Sequence, residues 1–185
     1  MNALLIHGWA GSPDSDFFPW LRKELSKKFA VECPLMPDTD SPKINPWLRE
    51  FSKHVKDPED TVVIGHSIGC QTMLRYLEKY KGKPFKAVIF VAGWITLKGL
   101  DAEEKPIAKP WLEKKIDLGK VKGKAENLVA IFSDNDPFVS LSNAKYFRKI
   151  VSKIVIVKKQ GHFSAQEGVH QVPAVIKELK ILKLL

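Results

Sequence analysis

The feature that most constrains this chain is a rhythm. Six short, nearly unbroken apolar runs recur along it, and amphipathic segments fill the gaps. The runs lie at 3–6, 30–34, 61–64, 87–91, 128–132 and 154–157. Val, Ile, Leu and Phe dominate them, as in strands buried on both faces. The segments between have helical spacing. Phe18, Leu21, Leu25 and Phe29 form one stripe over 18–29. Trp47, Leu48, Phe51 and Val55 form another over 46–56, with Asn45 as the expected N-cap and Pro46 at the first position. Cys70, Met73, Leu74 and Leu77 align over 68–80. Leu141, Ala144, Phe147 and Val151 align over 141–151, behind Ser140 as cap. A last helix carries Val172, Val175, Ile176, Leu179 and Leu182, with Pro173 in its first turn. Trp20 and Trp47 read as helix-face core residues.

Strands alternating with helices imply about six parallel strands with helices on both faces. The 185 residues suit a single α/β domain over 1–185. The stretch 96–125 departs from the rhythm. It is rich in Lys, holds Pro106, Pro110, Gly99, Gly119 and Gly123, and reads as an irregular, lid-like excursion at the sheet edge.

Bulk properties exclude several classes. The longest apolar runs, such as 87–92, fall far short of the about 20 residues that span a membrane, so no membrane partner is expected. The start, MNALLIHG, has no basic n-region or cleavage site and reads as a strand beginning at once. Cys33 and Cys70 form no C-x-x-C pair, which fits a reduced, cytoplasmic setting. The five His show no zinc-binding spacing, and neither a metal nor a cofactor is expected. The net charge of +9 raises the question of nucleic acid. However, only Arg22, Arg49, Arg75 and Arg148 among the 30 basic residues are Arg, the Lys are spread along the chain, and no nucleic-acid motif is found. A solvated Lys coat is the expectation, with no nucleic-acid partner.

Chemistry in a parallel sheet gathers at the carboxyl ends of its strands. The third run ends in Gly65-His66-Ser67-Ile68-Gly69, followed by a helix. G-x-S-x-G alone is a weak pattern. Between a strand and a helix it describes a nucleophile elbow, with Ser67 on a sharp turn above a helix N-terminus. A Ser hydroxyl needs a base. His162, in Lys159-Gln160-Gly161-His162-Phe163 past the last strand, is the His best placed to reach it. The base needs a carboxylate. Ser133-Asp134-Asn135-Asp136-Pro137 offers two, and Asp136 is preferred because Pro137 stiffens its turn. Asp134 would then brace the turn. Backbone amides of Ile68 and of Trp9, in the loop after the first strand, are the expected oxyanion donors. Trp94, Trp111, Phe138 and Phe163 are candidates for lining an apolar substrate pocket, with core packing as the alternative.

The order Ser67, Asp136, His162 is that of α/β-hydrolases. HGWAGSPDSDFFPWLRKEL, PLMPD, Trp47, TVVIGHSIG, KPW, SDNDPF and GHF together resemble the small serine hydrolases of the retinoblastoma-binding protein 9 / YdeN family. The resemblance covers most of the chain. It implies a compact α/β-hydrolase fold without a large cap domain, with nucleophile, acid and base at Ser67, Asp136 and His162. Cys70 departs from hydrolases at large, where a smaller residue follows the elbow Gly, and it is expected to pack. No L-x-C-x-E sequence surrounds either Cys, so a retinoblastoma-type partner is not carried over. The reading is a metal-free serine hydrolase acting on a small carboxylic ester or related acyl compound. Its rivals are a peptidase or amidase with the same triad, a binding protein on a hydrolase scaffold, and a nucleic-acid binder.

Overall fold

A computed structural model describes residues 1–185. Six strands form one parallel sheet: β1 (Asn2–Ile6), β2 (Ala30–Glu32), β3 (Thr61–His66), β4 (Phe85–Val91), β5 (Ala125–Ser133) and β6 (Lys153–Val157). The spatial order is β2-β1-β3-β4-β5-β6. The chain leaves β1 toward β2, then returns to the other side of β1 with β3. That reversal opens a crevice above β1 and β3, where ligands of open α/β sheets bind.

Alternation along the strands divides the interior into two layers. Leu4 and Ile6 of β1, Val63 of β3, and Leu128, Ala130 and Phe132 of β5 face one side. Their neighbours Ala3, Leu5, Val62, Ile64, Val129 and Ile131 face the other. The first layer is closed by α2 (Ile44–Lys53), α3 (Ile68–Lys79), α4 (Glu104–Glu113) and α5 (Ala144–Phe147). The second is closed by α1 (Phe18–Leu25) and α6 (Pro173–Ile181). The central strands are buried on both faces as their composition predicts. The edge strands are not: Ile156 of β6 is 49% exposed. No helix is long and apolar enough to cross a membrane.

Several local expectations change. Helix α2 begins two residues earlier than expected, with Lys43 at the N-cap, so Asn45 lies inside its first turn. The 141–151 helix is a 3-10 turn at Leu141–Asn143 running into the short α5, with the Ser140 hydroxyl accepting from the Ser142 amide. The 96–125 stretch is more regular than its Pro and Gly content suggests, because it contains α4. Asp101 and Glu104 form a capping box at its start: Asp101 Oδ1 accepts from the amides of Glu103 and Glu104, and Glu104 Oε2 accepts from the Asp101 amide. Pro110 removes one helical donor, but both it and Pro106 are exposed, where water can serve the freed carbonyl. At the far end, Arg75 of α3 donates to the carbonyls of Trp111 and Lys114 and fastens α4 to α3.

Candidate active site

The elbow is built by close packing. Ser67 sits at φ 51° and ψ −114°, its amide bonded to the Val91 carbonyl at 3.0 Å. Gly on either side leaves room for this packing, and at Gly69 it is required by the backbone. A Cβ at Gly65 would lie 2.2 Å from Met73 Sδ, and one at Gly69 would lie 2.5 Å from the Ile6 carbonyl oxygen. Helix α3 can therefore lie directly on β1 only without a side chain at Gly69, while a side chain at Gly65 would have to displace Met73. Cys70 is fully buried, with Sγ 3.1 Å from the Gly65 oxygen and 3.3 Å from the Val91 oxygen, and burial pushes its thiol pKa up. It packs beneath the elbow as an un-ionised thiol.

Ser67 Oγ lies 2.9 Å from His162 Nε2, and His162 Nδ1 lies 2.8 Å from Asp136 Oδ2. The carboxylate is buried, and its other oxygen accepts from the amides of Phe138 and Val139 at 2.8 Å each. Those bonds favour the ionised form and fix its orientation. The structure thus brings Ser67, His162 and Asp136 into one hydrogen-bonded line. Asp134 is turned away and accepts from the Lys159 amide at 2.7 Å, bracing the loop after β6.

That loop is held in a contorted shape, with Lys159, Gly161 and Phe163 all at positive φ. Asn135 Oδ1 accepts from the Gly161 amide at 2.9 Å, and Glu167 Oε2 accepts from the His162 amide at 2.5 Å. These supports were not anticipated from sequence, since a single Asn or Glu in a loop carries no periodic signal. The same holds for His66. Its Nε2–H donates to the His162 carbonyl at 2.8 Å, and its ring lies 5.1 Å from the His162 ring. Burial first, then the neighbouring His162, lowers its pKa to about 4, so it is neutral near pH 7. His7 fixes the opposite loop. Its Nδ1–H donates to the Gly8 carbonyl at 2.9 Å, and its Nε2 accepts from the Met36 amide at 3.0 Å.

Above Ser67 and His162 lies a cleft of about 970 Å³. Trp9 and Ile68 line its floor beside Ser67. The Trp9 amide donates to no acceptor within the protein, and the Ile68 amide, first in α3, lies ahead of the helical ladder. Of the four proposed pocket aromatics, Trp94 and Phe138 line the cleft. Trp111 and Phe163 do not. Trp111 is buried between α2 and α3, its ring 6.2 Å from Trp47 and its Nε1 donating to the Pro42 carbonyl. Phe163 is fully buried on the opposite side of the sheet and anchors the His162 loop from below. Both apolar rings are drawn into core layers. Trp20, expected in the core, is only partly buried and lines the cleft.

Comparisons with known proteins bear on the family and the fold. The family model described as serine hydrolase matches residues 3–181. YdeN of Bacillus subtilis (strain 168), described as a hydrolase, is 29% identical, covering 92% of this chain and 90% of YdeN. The serine hydrolase RBBP9 of Rattus norvegicus is 26% identical, covering 94% and 87%. The crystal structure of the B. subtilis ydeN gene product superposes with a TM-score of 0.85 at 24% identity, covering 98% and 97%. An esterase domain from a Rhodothermus marinus protein has a TM-score of 0.67 at 16% identity, covering 98% and 86%, and shares the fold.

Proposed function

Because the chain belongs to the serine hydrolase family, we propose that it cleaves a small carboxylic ester or related acyl compound through an acyl-enzyme on Ser67. The observation that carries this reading is the line Asp136–His162–Ser67, closed by contacts of 2.8 and 2.9 Å. Asp136 accepts from His162 Nδ1–H and so leaves Nε2 free to accept the Ser67 proton. Ser67 Oγ attacks the substrate carbonyl. The amides of Trp9 and Ile68 receive the developing oxyanion. His162 then returns the proton to the leaving alcohol. Water, deprotonated by His162, attacks the acyl-enzyme, releasing the acid and restoring Ser67. Beside that water, each step uses side chains and amides of the chain. The unpaired Cys33 and Cys70 support a cytoplasmic setting.

The test is labelling by a fluorophosphonate, with ester turnover measured alongside. Wild type labels and Ser67→Ala does not. Asp136→Asn lowers kcat by about 10³-fold or more, as loss of the correct His tautomer does. Asp134→Asn leaves kcat near wild type, because the amide oxygen still accepts from Lys159. Equal labelling of the Ser67→Ala protein overturns the reading, and a crippled Asp134→Asn with an active Asp136→Asn overturns the assignment of the acid.

A further inference from the structure

The chain carries 30 Lys and Arg against 21 Asp and Glu, yet no Lys or Arg lines the cleft above Ser67. Six carboxylates do. Asp14 is paired with Arg22. The other five, Asp16, Asp40, Asp101, Glu103 and Glu104, have no cationic partner. Elsewhere the chain pairs its carboxylates readily, as in Lys53–Glu50, Lys83–Glu59 and Lys86–Glu126. Half of the ten carboxylates without a cationic partner therefore stand on one concave surface of a basic protein. A cleft with walls of a single sign focuses the field and concentrates ligands of opposite charge.

The cleft wall also holds polar and aromatic groups. Two buried residues on the cleft wall have ring nitrogens without a partner, Trp94 Nε1 and His66 Nδ1. Trp94 Nε1 is a donor. His66 Nδ1 is an acceptor, because the ring proton lies on Nε2 and is given to the His162 carbonyl. Aromatic rings stand beside the acids. Trp9 Nε1 donates to the Asp40 carbonyl at 3.0 Å, which holds its indole next to that residue, and Trp20 lines the same cleft as Asp16. Indole faces attract organic cations, and more so when water is excluded.

We propose that the substrate of this site is cationic: an ester or related acyl compound bearing an ammonium group, held by the Asp16, Asp40 and Glu103 carboxylates and the Trp9 and Trp20 rings. This rests on the hydrolase reading above and adds the substrate's charge to it. The carboxylates come from three separate segments, the loop after β1, the loop after β2 and the start of α4, so they surround the cleft rather than mark one spot.

The test compares charged esters with their carbon isosteres. 4-Nitrophenyl 4-(trimethylammonio)butyrate is set against 4-nitrophenyl 5,5-dimethylhexanoate, which places the charge on the acyl arm. Butyrylcholine is set against 3,3-dimethylbutyl butyrate, which places it on the alcohol arm. In at least one pair kcat/KM favours the cation by about tenfold, one decade of differential stabilisation. The preference shrinks as NaCl is raised. It shrinks also in Asp40→Asn/Glu103→Gln, whose altered side chains make no hydrogen bond or ion pair within the protein. Asp57→Asn, beyond the cleft beside the start of β3, keeps the wild-type ratio. Fluorophosphonate labelling of Ser67 without preference for the cation in either pair overturns the charge assignment alone. Absence of labelling overturns the hydrolase reading and the charge assignment with it.

Discussion

Ser67 occupies a backbone conformation that costs an L-residue about 1–3 kcal/mol and persists only where its surroundings impose it. Here the Val91 carbonyl and the Cys70 amide hold it from both sides. The motif was legible because elbow geometry demands small neighbours, and Gly65 and Gly69 are the residues that satisfy it. The same logic fails for His66, whose place beside His162 depends on a carbonyl 96 residues away. Its buried ring has a consequence for pH. In the unfolded chain it takes a proton near pH 6.5, whereas in the folded protein it does so only at about 4. His162, Asp16 and Asp136 are the titratable groups that act on it. As pH falls from 6.5 to 4 the unfolded state binds the extra proton, so stability falls with it. At 1.36 kcal/mol per pH unit the loss is about 3 kcal/mol. His66→Gln keeps a side-chain donor for the His162 carbonyl and cannot titrate. Urea unfolding across this range should show wild type losing ground to the variant as pH falls. A gap independent of pH would refute the origin assigned here.

At the scale of elements, the strands were readable because burial on both faces forces continuous apolar composition. The helices α1, α2, α3 and α6 were readable from their stripes. Helix α4 was hidden by Pro106 and Pro110, which by local rules end helices. It is sustained by contacts that those rules do not see: the Asp101–Glu104 box at its start and the buried Arg75 at its end. The pocket aromatics failed for a related reason. A Trp or Phe at a loop junction can turn toward solvent or core, and Trp111 and Phe163 turned toward core layers that only the assembled sheet creates. Helix α3 meets the backbone of β1 directly at Gly69. In Gly69→Ala the new methyl meets the carbonyl oxygens of Ile6 and His7 at 2.5 and 2.8 Å, both backbone and unable to yield cheaply. We expect a loss of about 1–3 kcal/mol in unfolding free energy, the range for overpacked cores. Because the displaced helix carries the Ile68 amide, kcat should fall as well. Wild-type stability in that variant would mean that α3 and β1 are less closely packed than described.

For the whole molecule, charge is divided by place. Five carboxylates without a cationic partner line the cleft above Ser67, which no Lys or Arg lines. A net charge of +9 would ordinarily invite polyanions. The distribution argues otherwise. Bidentate phosphate recognition favours Arg, and two of the four Arg are engaged: Arg22 pairs with Asp14, and Arg75 is buried on the carbonyls that end α4. Six of the 26 Lys, at Lys27, Lys53, Lys56, Lys83, Lys86 and Lys153, lie within ion-pair distance of Glu. The cleft above Ser67, lined by six carboxylates and no Lys or Arg, repels phosphate. Binding to DNA should therefore stay in the non-specific range, no tighter than about 10⁻⁶ M at physiological salt, and weaken further as salt rises. Fluorescence anisotropy with a labelled 20-mer duplex measures this directly. A nanomolar Kd that survived added salt would mean that the Lys surface forms a specific polyanion site, and the expectation of a passive coat would be wrong.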